Sequence, residues 1–278
     1  MTKIALLGAG GKMGFRLSSN LTGTEFEVSH VEVSEGGRQA LLASLGITCV
    51  TTETALAGSD VVVLAVPDRL IGKILYQVID QIPSGALVVM LDAAAPHAGA
   101  LPDRKDISYF VTHPCHPPIF NDETDPAAKA DFFGGGRAKQ HIVCALMKGP
   151  EDHYALGETV ARAIFAPVMR AHRCTVEAIA ILEPALSETI GATFAMTLRT
   201  ATEMAVSKGV PVEAARDFIL GHLNIELAIA FDEFPGGKFS DGALLAIEEA
   251  GPKIFQDGWM ERVFDPDEVL RSVRAICE

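Results

Sequence analysis

Short, continuous apolar runs punctuate the first 175 positions of the chain. Lys3–Leu7 (KIALL), Val28–Val33 (VSHVEV), Val61–Val66 (VVVLAV), Leu87–Leu91 (LVVML), Tyr109–Thr112 (YFVT) and His141–Leu146 (HIVCAL) each read as a strand, and Val168–Met169 begins one more. Unbroken runs rich in β-branched residues mark strands covered on both faces, as in a parallel sheet under helices. Between them, Arg69–Gln81 carries apolar residues at helical spacing. Strand–helix alternation on this scale is a βαβ pattern.

After about residue 175 the pattern changes. Val176–Lys208 contains one proline, Pro184, and reads as one long helix or two, rich in Ala, Leu, Ile and Met. Pro211 sits where a helix start favours it, and Val212–Phe231 continues in helical register. Gly242–Ala250 and Asp267–Ile276 are further helices, separated by the Pro235-Gly236-Gly237 loop and by Pro266. The predicted fold class is an α/β dinucleotide-binding domain over residues 1–175 followed by an all-α domain over residues 176–278. The long helix is more apolar than a surface helix should be, and burial against a second copy of the chain, a homodimer, explains that.

The length of 278 residues agrees with two domains. The chain has 23 Lys+Arg against 36 Asp+Glu, a formal net charge of −13. Such acidity argues against nucleic acid and anionic membrane surfaces as partners. Asp60, Asp92 and Glu183 interrupt the apolar stretches, leaving no uninterrupted run of the roughly 18–20 residues a membrane span needs. The start, MTKIALLGAG, runs straight into an apolar segment and a glycine turn and carries no export signal. Five scattered cysteines (Cys49, Cys115, Cys144, Cys174, Cys277) form no CxxC pair, which suits a reducing cytoplasm.

Chemistry concentrates in a few segments. Gly8-Ala9-Gly10-Gly11-Lys12-Met13-Gly14 follows the first strand and opens a helix, giving GxxGxxG with Gly8, Gly11 and Gly14. Small residues let the backbone approach a pyrophosphate, and the helix start offers unpaired N–H groups. Glu32 ends the second strand, 24 residues after Gly8. A carboxylate there accepts hydrogen bonds from a ribose diol and repels a 2′-phosphate, favouring NAD over NADP. Ala65-Val66-Pro67-Asp68 ends the third strand, where the nicotinamide half would lie. Gly8, Gly11, Lys12, Met13, Glu32 and Asp68 are the candidate cofactor contacts.

Thr112-His113-Pro114-Cys115-His116-Pro117-Pro118 is the most unusual local segment. Its prolines forbid helix and ladder donation, so both histidines are expected on a stiff loop just after a strand. His113 is the first choice for a metal ligand or substrate contact, His116 is either functional or structural, and Cys115 reads as buried bulk. The long helix supplies Glu183, just before Pro184, and Glu188. A carboxylate in so apolar a helix is expensive unless it is paired, solvated or metal-bound. Five residues apart, the two do not share one face of an α-helix cleanly. His222 and Glu226, spaced i,i+4, lie on one face. That spacing suits two ligands for one ion, a histidine with an orienting carboxylate, or a solvated pair. Arg199 and Lys253 are candidate carboxylate binders.

GAGGKMG, AVPD, THPCHPP, ILEPALSETIGAT and GHLNIELAIAF together resemble a family of bacterial NAD-dependent oxidoreductases. Its members join a Rossmann domain to a helical domain related to the C-terminal part of 6-phosphogluconate dehydrogenases. The resemblance covers nearly the whole chain, with one departure. Related 3-hydroxyacid dehydrogenases carry a catalytic lysine followed by an asparagine on the long helix, whereas here that helix has Glu183, Glu188 and Arg199 and no lysine before Lys208. The resemblance implies a two-part reaction on a small-molecule branched sugar acid. NAD removes hydride from the C2 carbinol, and a 1,2-shift of the neighbouring hydroxymethyl group yields a 3-oxo isomer. Such a shift needs the keto and hydroxyl oxygens held together, which a divalent cation (zinc, manganese or magnesium) chelated by both achieves. His113 and Glu183 are then the metal ligands, and His222 or Glu226 the base for the tertiary hydroxyl proton. The rivals are a plain hydroxy-acid dehydrogenase without rearrangement and a non-catalytic NAD-sensing module.

Overall fold

A computed structural model describes residues 1–278. Its strands are β1 (Lys3–Leu7), β2 (Glu27–Val31), β3 (Val61–Leu64), β4 (Leu87–Met90), β5 (Ser108–Pro114), β6 (Gln140–Lys148) and β7 (Val168–Arg173). They form one sheet in the order β2-β1-β3-β4-β5-β6-β7. The helices of this half are α1 (Lys12–Leu21), α2 (Glu35–Leu45), α3 (Thr52–Leu56), α4 (Asp68–Val78), α5 (Ala94–His97), α6 (Pro126–Lys129) and α7 (Glu151–Ile164). The β-branched runs are covered on both faces as predicted: Val61, Val62 and Val63 in β3, and Val88 and Val89 in β4, are fully buried. Strand order reverses beside β1, so the glycine turn that follows β1 lies at a topological switch point, where such sheets bind ligands.

Three details depart from the sequence reading. Neighbouring strands are parallel except for β5 and β6, so β6 and β7 run opposite to β1–β5. The ladder between them also reaches further than the prolines suggested. His113 pairs with Val143 and Pro114 with Ile142, so His113 belongs to the strand end and not to the loop. A proline lacks a donor but keeps its carbonyl, so it can close a strand at its last residue. Cys115 is exposed, contrary to the expectation of buried bulk.

Edge strand β2 carries a buried histidine, His30, whose Nε2 has no hydrogen-bond partner within the protein. Burial lowers its pKa below 6.5, against a smaller opposing effect of a backbone hydrogen bond at Val28. The folded chain therefore binds this proton less readily than the unfolded chain. The stability that follows is complete above the unfolded pKa and is lost as pH falls below it. Thermal melts are expected to show a lower Tm at pH 5.5 than at pH 7.5, with a shallower pH slope in His30→Leu.

The chain divides into two compact units, Met1–Leu182 with Leu270–Glu278, and Glu183–Val269. The helices of the C-terminal region are α8 (Val176–Ser207), α9 (Val212–Ala230), α10 (Asp241–Ile254), α11 (Trp259–Val263) and α12 (Pro266–Cys277). The division falls about two turns inside α8, and the end of α12 belongs to the first unit. Between Ile181 and Ala192, α8 is a π-helix. Pro184 lies within that segment and offers no N–H to an α-helical ladder. Its carbonyl accepts a 2.6 Å hydrogen bond from the Thr189 hydroxyl, five residues on. By length and composition α8 is also apolar enough to cross a membrane, with a mean hydropathy of 1.2 over its best 18-residue window.

Candidate active site

Local sterics dictate the glycine turn. Gly8 has φ +82°, and a Cβ there would stand 2.4 Å from the Ala65 carbonyl oxygen, so the turn after β1 packs on the backbone of the AVPD turn. A Cβ on Gly14 would meet the Gly8 carbonyl oxygen at 1.9 Å. The N–H groups of Gly8 and Ala9 donate to the Val31 carbonyl, at 2.9 and 3.0 Å, and pin the turn to the end of β2. Helix α1 then starts at Lys12 with no side-chain cap. First-turn N–H groups, those of Lys12 and Met13 among them, lack intrahelical partners. Uncapped N–H groups beside small residues suit a pyrophosphate. Asp68 opens α4, directly after the AVPD proline.

Glu32 is buried and already structural. Its carboxylate accepts from the Gly10 N–H at 2.8 Å and from the Ser34 N–H at 2.7 Å. A Cβ on Gly10 would stand 2.7 Å from the Gly37 Cα and 2.9 Å from the Glu32 Cγ. Gly10 is thus a further required glycine, between the fingerprint positions, and the sequence reading did not single it out. Glu32 fixes the turn through these two hydrogen bonds.

Farther along the same sheet edge, β4 and β5 end side by side. His113 Nδ1 lies 2.8 Å from the Leu91 carbonyl oxygen and 3.5 Å from an Asp92 carboxylate oxygen. A carbonyl can only accept, so Nδ1 carries the proton and the ring lone pair is on Nε2, the tautomer a metal ligand requires. Asp92 Oδ1 accepts from the Ala94 N–H at 2.6 Å, which fixes the carboxylate. Sequence reading did not propose Asp92 as a ligand, although an acid just beyond the C-terminal end of a buried strand is a signal for one. His116 lies in the following loop with φ +60°, and its ring stands edge-on to His113 with centroids 6.4 Å apart.

In the second unit, the π-helical segment alters the relation of Glu183 to Glu188. A helix with i→i+5 hydrogen bonds is wider than an α-helix, so positions five apart lie nearer to one face than they would in an α-helix. On α9, His222 Nδ1 donates to the Phe218 carbonyl at 2.8 Å, and its ring stacks on Phe218 at 3.9 Å, leaving the acceptor nitrogen at Nε2. Glu226, one turn on, is exposed, as is His222. Arg199 pairs with Glu203 at 3.1 Å and Lys253 with Glu249 at 3.6 Å, both i,i+4, so each of these cations has a carboxylate on its own helix.

The model for the C-terminal domain of decarboxylating phosphogluconate dehydrogenases matches residues 121–277, and that of coenzyme F420-dependent NADP oxidoreductases matches residues 3–96. The D-apionate oxidoisomerase of Cupriavidus necator is 57% identical over 274 residues, spanning 99% of both chains. The chain belongs to the D-apionate oxidoisomerase family. Another member, from Rhizobium rhizogenes, is 55% identical over 99% of this chain and 100% of its own length. A crystal structure of a semialdehyde dehydrogenase NAD-binding protein from Cupriavidus necator, in complex with calcium and NAD, superposes with a TM-score of 0.97. It is 56% identical and covers 99% of each chain. Like the family, this chain is an NAD-dependent oxidoreductase, with a Rossmann-like N-terminal domain and a helical C-terminal domain.

Proposed function

We propose that the chain is a D-apionate oxidoisomerase, which oxidises D-apionate with NAD and rearranges the carbon skeleton to 3-oxo-isoapionate. The observation that carries this reading is 57% identity to a D-apionate oxidoisomerase across 99% of both chains. NAD, when bound, accepts the hydride leaving C2. The N–H groups at the start of α1 hold its pyrophosphate, with Gly8, Gly11, Lys12 and Met13 forming the turn. Glu32 keeps the turn closed and disfavours a 2′-phosphate, and Asp68 contacts the cofactor from the head of α4.

His113 and Glu183 are the proposed ligands of a divalent cation, and Asp92 adds a third donor beside the imidazole. Each of the three offers one oxygen or nitrogen atom. The donor set suits a cation: two carboxylates supply charge, and the Leu91 carbonyl holds the His113 tautomer. A cation so held would bring the keto and hydroxyl oxygens together and stabilise the charge that develops during the shift. His222, with its proton fixed on Nδ1, takes the tertiary hydroxyl proton at Nε2, with Glu226 one turn away as the other candidate base. Zinc, manganese and magnesium all fit such donors. NADH formation across a panel of sugar acids, with and without exhaustive chelation, tests the reading. Turnover of D-apionate that depends on added metal is the expected result.

The same reading includes a homodimer. The second unit has almost no interior of its own: Ala215 is the only buried residue of α9, and α10 has none. Phe218, Leu220, Leu244, Leu245 and Ile247 are each at least half exposed. Faces this apolar are covered in working proteins, and a second copy of the chain supplies a matching surface. The charged residues along α8 (Glu183, Glu188, Arg199 and Glu203) favour a protein cover over lipid. Sedimentation equilibrium is expected to give twice the chain mass of 29.5 kDa, and Leu220→Asp to shift the protein toward monomer or aggregate. None of the five cysteines is in a disulfide, which is consistent with a cytoplasmic enzyme.

A further inference from the structure

The segment between β5 and β6 holds an aromatic residue that the reaction has not yet used. Phe133 lies within Phe132-Phe133-Gly134-Gly135-Gly136, and Gly134 and Gly135 both have positive φ, +76° and +71°. A Cβ on Gly134 would stand 2.9 Å from the Pro117 ring, so the glycine run lets this loop close directly on the histidine–proline segment. The Asp131 carboxylate accepts from the N–H groups of Gly134, Arg137 and Ala138, at 3.0, 2.8 and 3.1 Å, and ties the run into one knot.

This knot brings Phe133 against two parts of the site at once. On one side, its ring lies 3.7 Å from the Arg16 guanidinium carbon and 5.2 Å from the Lys12 ammonium, both on α1 directly after the glycine turn. On the other, it meets the His116 ring at 4.8 Å, and its own carbonyl accepts from His116 Nδ1 at 2.7 Å. One residue therefore holds His116 through both backbone and side chain. It holds it in a left-handed conformation that histidine seldom adopts and that strained sites retain only when their surroundings enforce it. With the proton on Nδ1, the His116 acceptor is Nε2.

We infer that Phe133 is a positioning residue that clamps His116 to the first helix of the dinucleotide turn, so that His116 Nε2 accepts a hydrogen bond from a substrate hydroxyl. This rests on the reading of the site as one for a polyhydroxy acid. Cation–π contact from Arg16 and Lys12 anchors the ring. The ring and carbonyl of Phe133 then set the His116 backbone and tautomer together.

The test compares Phe133→Ala, Phe133→Leu and Phe133→Tyr by steady-state kinetics, NADH fluorescence titration and hydrogen exchange of residues 115–120. The alanine variant is expected to lose about 10- to 100-fold in kcat on D-apionate, with NADH affinity within about threefold of wild type. Its exchange over residues 115–120 should rise. Tyrosine, which keeps the π face, should recover most of the loss, and leucine, which keeps bulk alone, should recover less. If alanine leaves kcat within about threefold, if leucine matches tyrosine, or if exchange over 115–120 is unchanged, the proposal is wrong. Should the alanine variant fail to fold, the leucine–tyrosine comparison decides. If the wild-type enzyme does not turn over D-apionate, the substrate reading fails, and the exchange data still judge the clamp.

Discussion

Glu183→Gln is expected to lower kcat on D-apionate by about 10²- to 10³-fold while NADH binds within about threefold of wild type. The substitution keeps the size of the side chain and removes the charge. On the proposed reading Glu183 supplies one of the anionic donors of the cation site, and His113 supplies the nitrogen donor. Loss of either should cost metal affinity and leave the glycine turn untouched. His113→Ala is expected to match it in kcat, and the double variant to be little worse than either single one, because residues acting as a unit are not additive. Asp92→Asn should cost less, about 10-fold, as expected for a carboxylate that orients a ligand and adds charge. Kinetics with a metal titration read all four variants. Full activity of Glu183→Gln after chelation would remove the cation from the account.

Gly14→Ala is expected to be the most damaging single methyl in the first unit. Its Cβ would lie 1.9 Å from the Gly8 carbonyl oxygen and 2.9 Å from the Ala9 carbonyl carbon, all backbone atoms that no side-chain rotation can move away. The helix must shift or the turn must open, at a cost of about 3 kcal/mol, and the chain should show both a lower Tm and negligible NADH binding. Gly11→Ala provides the contrast. Its Cβ would meet the Gly8 carbonyl oxygen at 3.4 Å and nothing closer, so the fold should persist. Only NADH affinity should fall, because on the proposed reading the added methyl stands where the pyrophosphate approaches. Melting curves beside fluorescence titrations separate the two effects. Equal thermal stability of Gly14→Ala and wild type would contradict the packing described for the turn.

Much of the first unit was legible because its strands are buried on both faces. The runs VVVLAV and LVVML stand out by themselves, although β3 ends at Leu64 and β4 at Met90, before the last apolar residues of each run. Long-range geometry was less legible. Nothing local to HIVCAL says that β6 runs antiparallel, since buried strands of either sense look alike in sequence. The prolines of THPCHPP suggested a loop from His113 onward, but Pro114 can close a strand whose partner needs only its carbonyl. The π-helix in ILEPALSETIGAT was likewise hidden. Pro184 signals disruption, but the form the helix takes around it depends on packing. That form brings positions 183 and 188 nearer to one face.

Candidate site residues stood out where a residue type is rare in its setting, as with histidines among prolines or a carboxylate in an apolar helix. They did not stand out where an ordinary residue gains its role from a distant contact. Gly10 matters because Gly37 and Glu32 press on it, and Phe133 because a glycine run folds it back onto Arg16 and His116. Asp92 lies between these cases. Its position after β4 was visible, and only the neighbouring strand end shows that His113 is its partner.

On the proposed reading, oxidation and skeletal rearrangement take place in one site. Carbon NMR of the product formed from D-apionate, NAD and a divalent metal tests it most directly. The account predicts the rearranged 3-oxo acid, with the hydroxymethyl carbon attached to the former C2. An unrearranged 2-oxo acid, or its decarboxylated derivative, would contradict it and leave a simple dehydrogenase.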